Sequence, residues 1–428
     1  MKINNFKKLA VTETRRFALE IANAGLEAID TAAVVEKWVR LNGDELRIGE
    51  EVFDLKEIGR LIVSGVGKCA LEAAHSIEGI LGDRIHGGVI LYIAGEPRLQ
   101  KLEAMRGTHP LPSEENMRGT AAIVGTLKDL KGNDLVIFIV SGGGSTLLCL
   151  PEDMGCREEA SILGALTKIG ATIQEINTVR KHLSLARGGY IAKHAYPARV
   201  VSLIFSDVPG DDIQFISSGP TVKDKTTIED AESILSKYDV LNTCGIEKCG
   251  LIETPKEDKY FERVKNIIVV SNMIALRGME AKAMLLGLNP VLRTACLTGE
   301  AREEGKKIVG ELHGVPSGTV LLYGGETTVT IRGRGRGGRN LEFVTAVLGE
   351  IQDNELIMAV ASDGRDNGEF AGAICDKITK EEIKKQGIDW EAMLQDNNEY
   401  PLFEDVGHYL LTGDTGSNIA DLFIALRE

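Results

Sequence analysis

The sequence predicts an α/β protein of two domains, the larger an open three-layer α/β/α sandwich and the smaller a second α/β unit. Three observations predict it. Short apolar runs recur along the chain, and each ends in Gly, Ser or Asp. Segments with helical spacing follow those runs, and short, wholly apolar strands alternating with helices make a parallel sheet covered on both faces. The chain has 428 residues, 43% hydrophobic and 26% charged, the composition of a globular protein long enough for two or three domains.

In chain order, residues 12–40 carry Phe17, Ile21, Ala24, Leu26, Ile29, Ala33 and Val34 at helical spacing and predict one long amphipathic helix. A hairpin-like stretch follows around 46–55. LIVSG (61–65) reads as a strand with a helix over 68–81, and GVILYIAG (88–95) as a second strand. LVIFIVSGGGS (135–145) leads to a helix near 157–177, and RVVSLIFSDVPGDD (199–212) closes the first set. The stretch 221–265 is polar with few long apolar runs. It reads as the connection between domains, placed at 1–240 and 241–428. Beyond it, NIIVVSN (266–272) is a strand, with a helix to Leu286, a strand near 290–293 and a helix over 300–312. TVLLYGGETTVTIRG (319–333) predicts two strands joined at a Gly-Gly turn. A helix then spans about 340–351, and LIMAVASDG (356–364) is one more strand.

The bulk properties narrow the function. A formal net charge of −14 disfavours nucleic acid or an anionic membrane as main partner, while a small anion needs only a local positive pocket. The start of the chain, MKINNFKKLAVTETRR, lacks the apolar core of a signal peptide, and the run 135–140 is far too short to span a bilayer. Seven dispersed Cys, an odd number, argue for a reducing compartment over a disulfide framework, so a cytoplasmic location is expected. Cys69, Cys149 and Cys296 sit within or beside apolar runs, as buried thiols do. Cys244 and Cys249 lack the further ligands that zinc needs.

In open α/β sheets ligands bind at the carboxyl ends of strands. This chain ends its strands with GVGK (65–68), SGGGST (141–146), SDVPGDD (206–212), GGETT (324–328) and SDGRDNG (362–368), which together describe a phosphate-handling site. Ser141, Gly142, Gly143, Gly144, Ser145 and Thr146 are the sharpest group. Successive glycines let backbone N–H groups converge on an anion and the hydroxyls add donors, whereas a plain strand-to-helix turn needs only one or two Gly. GVGKCA fails as a Walker A loop, having Ile62 and Cys69 where Gly and a hydroxyl are required, and no G-x-G-x-x-G fingerprint with its acidic partner is present. Lys68 nevertheless begins a helix, where its charge opposes the macrodipole and wants an anionic partner.

Arg332, Arg334, Arg336 and Arg339 alternate with Gly between a strand and an amphipathic helix, so the run reads as a folded loop. Arg339, beside the helix start, is best placed to meet carboxylate or phosphate through its planar fork. Gly325 and Glu326 of GGETT join Arg339 and Lys68 as substrate contacts. Asp207 and Asp363, each directly after an apolar strand, are first choices to hold Mg²⁺ together with a ligand's phosphates; capping a following helix is the competing role. His109 and His182 are lone histidines that suit a turn or the core as well as catalysis.

Taken in order, GVGK, HPLP, SGGGST, RKHLSLARGG, FSDVPGDD, ISSGPT, GGETTVTIRGRGRGGRN, ASDGRDNG, AGAICD and TGDTGSN resemble the motif series of the glycerate 2-kinase family with a C-terminal MOFRL domain. The likeness runs from about residue 10 to the end. The resemblance implies a Rossmann-like N-terminal domain, a smaller C-terminal one and an active-site cleft between them. It also implies phosphorylation of the C2 hydroxyl of D-glycerate by Mg-ATP, giving 2-phosphoglycerate, with Lys68 and Arg339 at the family's catalytic positions. The chain departs from the pattern with Ser113 where Asp often follows HP-x-P, Leu341 where Gln often follows GGRN, and Asn367 where Gly often stands. Two other readings stay open. A hydroxypyruvate reductase would need a nicotinamide site, and a sugar-phosphate sensor would bind without turnover. A homodimer is compatible with the sequence, which does not fix the oligomeric state.

Overall fold

The computed structural model describes residues 1–247 and 249–428. The chain forms two compact units, Val34–Val269 and a second built from Met1–Ala33 with Val270–Glu428. The expected division at 240/241 therefore falls inside the first unit. The stretch read as a connection is itself folded: helices Ile228–Lys237 and Val240–Cys244 bury Ala231, Leu235 and Val240 against Ile162, Leu166 and Val179. Their apolar residues are spaced for helices rather than gathered in runs, and Thr227 caps the first helix by accepting from Asp230 N.

In the first unit an antiparallel meander, β1 (Val39–Asn42), β2 (Glu45–Ile48) and β3 (Glu51–Asp54), stands where a hairpin was expected. A six-stranded sheet follows: β4 (Leu61–Val66), β5 (Val89–Tyr92), β6 (Glu103–Arg106), β7 (Leu135–Val140), β8 (Arg199–Phe205) and β9 (Val264–Val270). Its order is β6-β5-β4-β7-β8-β9, and the pairs from β6 to β8 are parallel. The chain starts at β4, steps outward to β6, then returns to the other side of β4 with β7. That is doubly wound order, with the winding reversing between β4 and β7. Every residue of β4, β5 and β7 is buried, as their mostly apolar sequences require, and the buried Ser64 hydroxyl of β4 accepts from Val89 N at 3.1 Å. The single helix expected near 157–177 is two, Cys156–Lys168 and Ile173–Lys181, parted at Gly170 with φ +75° and restarted by the Thr172 cap.

The second unit is a mixed sheet of β10 (Asn289–Leu297), β11 (Thr319–Gly325), β12 (Glu355–Ala361), β13 (Gly372–Asp376), β14 (Tyr409–Leu410) and β15 (Asp421–Arg427). The order is β10-β11-β15-β12-β13-β14. The β10–β11 pair is parallel and the others are antiparallel. The long N-terminal helix expected over 12–40 is two helices, Glu13–Ala28 and Thr31–Trp38, because the Asp30 carboxylate accepts from Ala33 N at 2.8 Å and offers the backbone a local alternative. Glu13–Ala28 packs on Asn272–Leu285 across small residues. A Cβ placed on Gly278 would lie 2.8 Å from Ala28 Cβ and 3.0 Å from Ala24 O.

The second strand expected in 319–333 does not form. The loop beyond β11 instead gives its amides to another loop: Arg332 N and Gly333 N donate to Asn397 Oδ1 at 2.7 and 3.1 Å, and Arg336 N to Asn398 Oδ1 at 3.0 Å. The Arg-Gly run is thus a folded loop, as its setting implied. Asn367 takes φ +56°, a backbone that Gly adopts freely and Asn tolerates.

Candidate active site

In the first unit the loops leaving β4 and β7 lie side by side where the winding reverses, the position at which doubly wound sheets bind ligands. They are laced together. Lys68 N donates to Gly142 O at 2.9 Å, Ser141 Oγ accepts from Cys69 N at 3.1 Å, and it donates to Val66 O at 3.2 Å. Gly143 is left-handed at φ +82°, and a Cβ there would lie 2.9 Å from Ile93 Cδ1 and 3.3 Å from the His109 ring. A Cβ on Gly142 would run into the Asp207 carboxylate, and one on Gly144 into the Ser217 hydroxyl. Each of the three glycines is thus demanded by a close approach. The turn therefore presents bare backbone, with no room for side chains at these three positions.

The hydroxyls beside the turn form a chain. Ser145 and Ser218 Oγ are 3.0 Å apart, and Ser218 Oγ donates to Asn177 Oδ1 at 3.0 Å. Ser217 Oγ donates to Ser141 O at 2.8 Å and Thr146 Oγ1 to Pro110 O at 3.3 Å. Lys68 is exposed and its ammonium has no ion pair among the described residues. Desolvation, together with the charges of Lys68 and Arg180, holds the His109 imidazole below its ordinary range. His182, by contrast, is a core residue. It is fully buried, with its ring bonded to Ile252 O at 2.8 Å and Thr226 Oγ1 at 3.2 Å.

In the second unit Arg339 opens helix Arg339–Thr345. Its Nε and Nη2 donate to the two oxygens of Asp421 at 2.5 and 3.1 Å, and its Nη1 binds Glu326. Burial pushes the Asp421 carboxyl up and the guanidinium opposes it. Asp366, buried alongside, is pushed up to about 6 by burial, against the pull of the Leu341 and Asn340 amides that it accepts. Gly325 ends β11 at φ +150°, where a Cβ would strike the Leu297 backbone, so it serves the sheet pairing. Asp363 caps no helix. Its carboxylate accepts from Arg365 N at 2.9 Å in an Asx turn.

The first unit therefore gathers Lys68, Ser141, Gly142, Gly143, Gly144, Ser145, Thr146 and Asp207, and the second gathers Arg339, Glu326 and Gly325. Asp207 and Asp363 belong to different units. No group of three or more His, Cys, Asp or Glu arranged for a metal occurs among the described residues. A magnesium ion needs only one or two protein carboxylates when phosphates supply the rest, and the Asp207 carboxylate beside the bare turn fits that requirement. Asp421 and Asn177 were not anticipated, and Arg180, Ser217 and Ser218, although they lie in the RKHLSLARGG and ISSGPT motifs, were given no role at the site. Asp421 opens the apolar strand β15, where a single acid carries no signal, and Arg180 stands in the last turn of its helix, where a cation is favourable without any ligand. Of the cysteines expected to be buried, Cys69 and Cys149 are, but Cys296 is exposed on β10, whose residues are mostly half-buried.

A doubly wound sheet with a glycine cradle and cations at its switch point, joined to a second α/β unit, defines a phosphoryl-transferring enzyme. The model of a domain of unknown function, DUF4147, matches residues 17–247, and that of the MOFRL family matches 319–421. Glycerate 2-kinase of Pyrococcus horikoshii is 37% identical, with 97% of each chain covered. A putative hydroxypyruvate reductase of Agrobacterium vitis is 36% identical, over 85% of this chain and 86% of that one. The crystal structure of glycerate kinase from Thermotoga maritima superposes with a TM-score of 0.85 at 31% identity, covering 96% of this chain and 99% of the other. The chain belongs to the glycerate 2-kinase family and is a kinase.

Proposed function

We propose that this chain transfers the γ-phosphoryl group of ATP to the C2 hydroxyl of D-glycerate, releasing 2-phosphoglycerate and ADP. The observation that carries the reading is the glycine turn at the reversal of the sheet, where Gly142, Gly143 and Gly144 each approach a neighbour too closely for a side chain. Backbone N–H groups of 141–146 and the hydroxyls of Ser145 and Thr146 hold phosphate oxygens there. Lys68 faces the negative charge that develops on the transferring group. Arg339 takes the acceptor's carboxylate. Three of its five N–H groups are engaged by Asp421 and Glu326, which leaves two. Glu326 thus orients Arg339 more directly than it touches substrate. Asp207, with Asp363 as second candidate, holds Mg²⁺, which when bound screens the charge of the phosphates. An odd, dispersed set of seven Cys supports work in the reducing cytoplasm.

The test supplies ATP and D-glycerate with enolase but no phosphoglycerate mutase. Phosphoenolpyruvate forming at the rate of ADP release is the expected result. ADP without phosphoenolpyruvate moves the reaction to another hydroxyl or another acceptor. Oxidation of NADH by hydroxypyruvate in the absence of ATP would replace the kinase reading with the reductase one.

A further inference from the structure

Helix Ile173–Lys181 carries Arg180 in its last turn, and this residue is charged without being matched. Its guanidinium makes no hydrogen bond or ion pair among the described residues, and its Nε is buried with no partner. The cations around it are matched. Arg187, fully buried, binds Glu159 at 2.6 Å, and that carboxylate also accepts from the Cys149 thiol at 3.2 Å. Lys181 pairs with Asp224 at 3.0 Å. Burial and the nearby Arg187 charge lower Arg180 to about 10, partly offset by Glu159, so it remains a cation at neutral pH. A largely desolvated charge with no directly bonded counter-ion costs several kcal/mol, which an incoming anion can return.

The same helix is tied to the glycine turn. Asn177, one helical turn before Arg180, accepts from Ser218 Oγ, and Ser218 is bonded to Ser145. Arg180 also acts electrostatically on His109, whose ring lies against Gly143. We propose that Arg180 is a ligand-binding residue of this site, holding jointly with the 141–146 turn one oxyanion, a phosphoryl group or a carboxylate. The proposal rests on reading that turn as the anion cradle of the kinase.

The experiment compares the unmodified chain with R180M and R180K in thermal unfolding, titrated separately with tripolyphosphate and with D-glycerate, and in steady-state kinetics. In the ligand-free protein R180M is expected to melt at or above the unmodified chain, because it removes an unmatched charge. Its affinity for one ligand should fall at least tenfold, with partial recovery in R180K. Loss of the tripolyphosphate response with a raised KM for ATP identifies phosphoryl as the anion; loss of the D-glycerate response with a raised KM for D-glycerate identifies carboxylate. Unchanged responses to both ligands in R180M overturn the proposal, as does a lower melting temperature with both responses intact, which marks a structural role. Should R180M fail to fold, R180K decides, since responses equal to the unmodified chain in both arms would again overturn it. G143A separates the two readings. If it binds tripolyphosphate normally while R180M does not, the cradle reading fails and Arg180 stands.

Discussion

Arg339 meets a fully buried carboxylate, Asp421, through two hydrogen bonds and reaches Glu326 through a third. Replacing it with Ala removes the proposed carboxylate ligand and also strands Asp421 in the core, so R339A is expected to lose about 3–5 kcal/mol of stability. Chemical denaturation would show it, and kinetics of that variant alone would confound two effects. Lys68 offers the cleaner measurement. It is exposed and has no ion pair among the described residues, so K68A should unfold within about 0.5 kcal/mol of the unmodified chain. If its ammonium faces the transferring phosphoryl, kcat/KM in the enolase-coupled assay should fall at least about tenfold, or 1.4 kcal/mol. Turnover close to that of the unmodified chain would remove Lys68 from the mechanism.

At the scale of elements, the N-terminal helix Glu13–Ala28 is fastened to the rest of the second unit by a buried bidentate pair. Arg15 donates to Asp376 at 2.6 and 2.7 Å and to Thr379 Oγ1 at 3.0 Å. Burial pushes the Asp376 carboxyl up, but Arg15 and the Thr379 amide outweigh it and hold it below the usual range. The stabilisation is present above the unfolded carboxyl's pKa and is lost as pH falls through the lower, folded one. R15M should cost about 3–5 kcal/mol in urea unfolding, and adding D376N should return part of it, because the stranded charge is then gone. A double variant as unstable as R15M would contradict this account. This fastening was invisible in the sequence, because it joins residues hundreds of positions apart. The strands β4, β7, β8 and β12 were legible because both faces are buried and their sequences are mostly apolar, β7 without a break. The helices of 228–244 were not, since amphipathic helices scatter their apolar residues among polar ones. The expected second strand after β11 failed because the Glu300 carboxylate and the Asn397 amide oxygen supply loop partners for the Thr330, Arg332 and Gly333 amides that a strand would have paired. Lys68 and the glycine turn were legible as strand-end chemistry. Arg180 was not, because nothing in a sequence shows that a cation lacks a partner.

For the whole molecule, the response to pH between mild acid and mild base is governed by carboxyls that folding keeps protonated. Glu399 is the strongest case. It is fully buried, and neither oxygen has a hydrogen-bond partner. Burial pushes it up to about 8, with Glu342 and Asp366 adding to the shift and Arg302 opposing it. An unfolded Glu titrates near 4.3. Between that pH and about 8 the folded chain retains a proton that the unfolded chain has released, so this group subtracts from stability as pH rises. His408, which burial and Arg15 hold at about 4, works in the other direction. Its unfolded form gains a proton below about 6.5, so stability rises with pH up to there. The raw profile mixes the two. The difference between E399Q and the unmodified chain isolates the first, because Gln keeps the shape and cannot ionise. That difference should favour E399Q increasingly from pH 5 to pH 8, by on the order of 2–4 kcal/mol over the interval. Denaturant unfolding at several pH values measures it. Parallel stability curves for the two proteins would mean that Glu399 is already ionised in the fold, with a counter-charge nearer than Arg302.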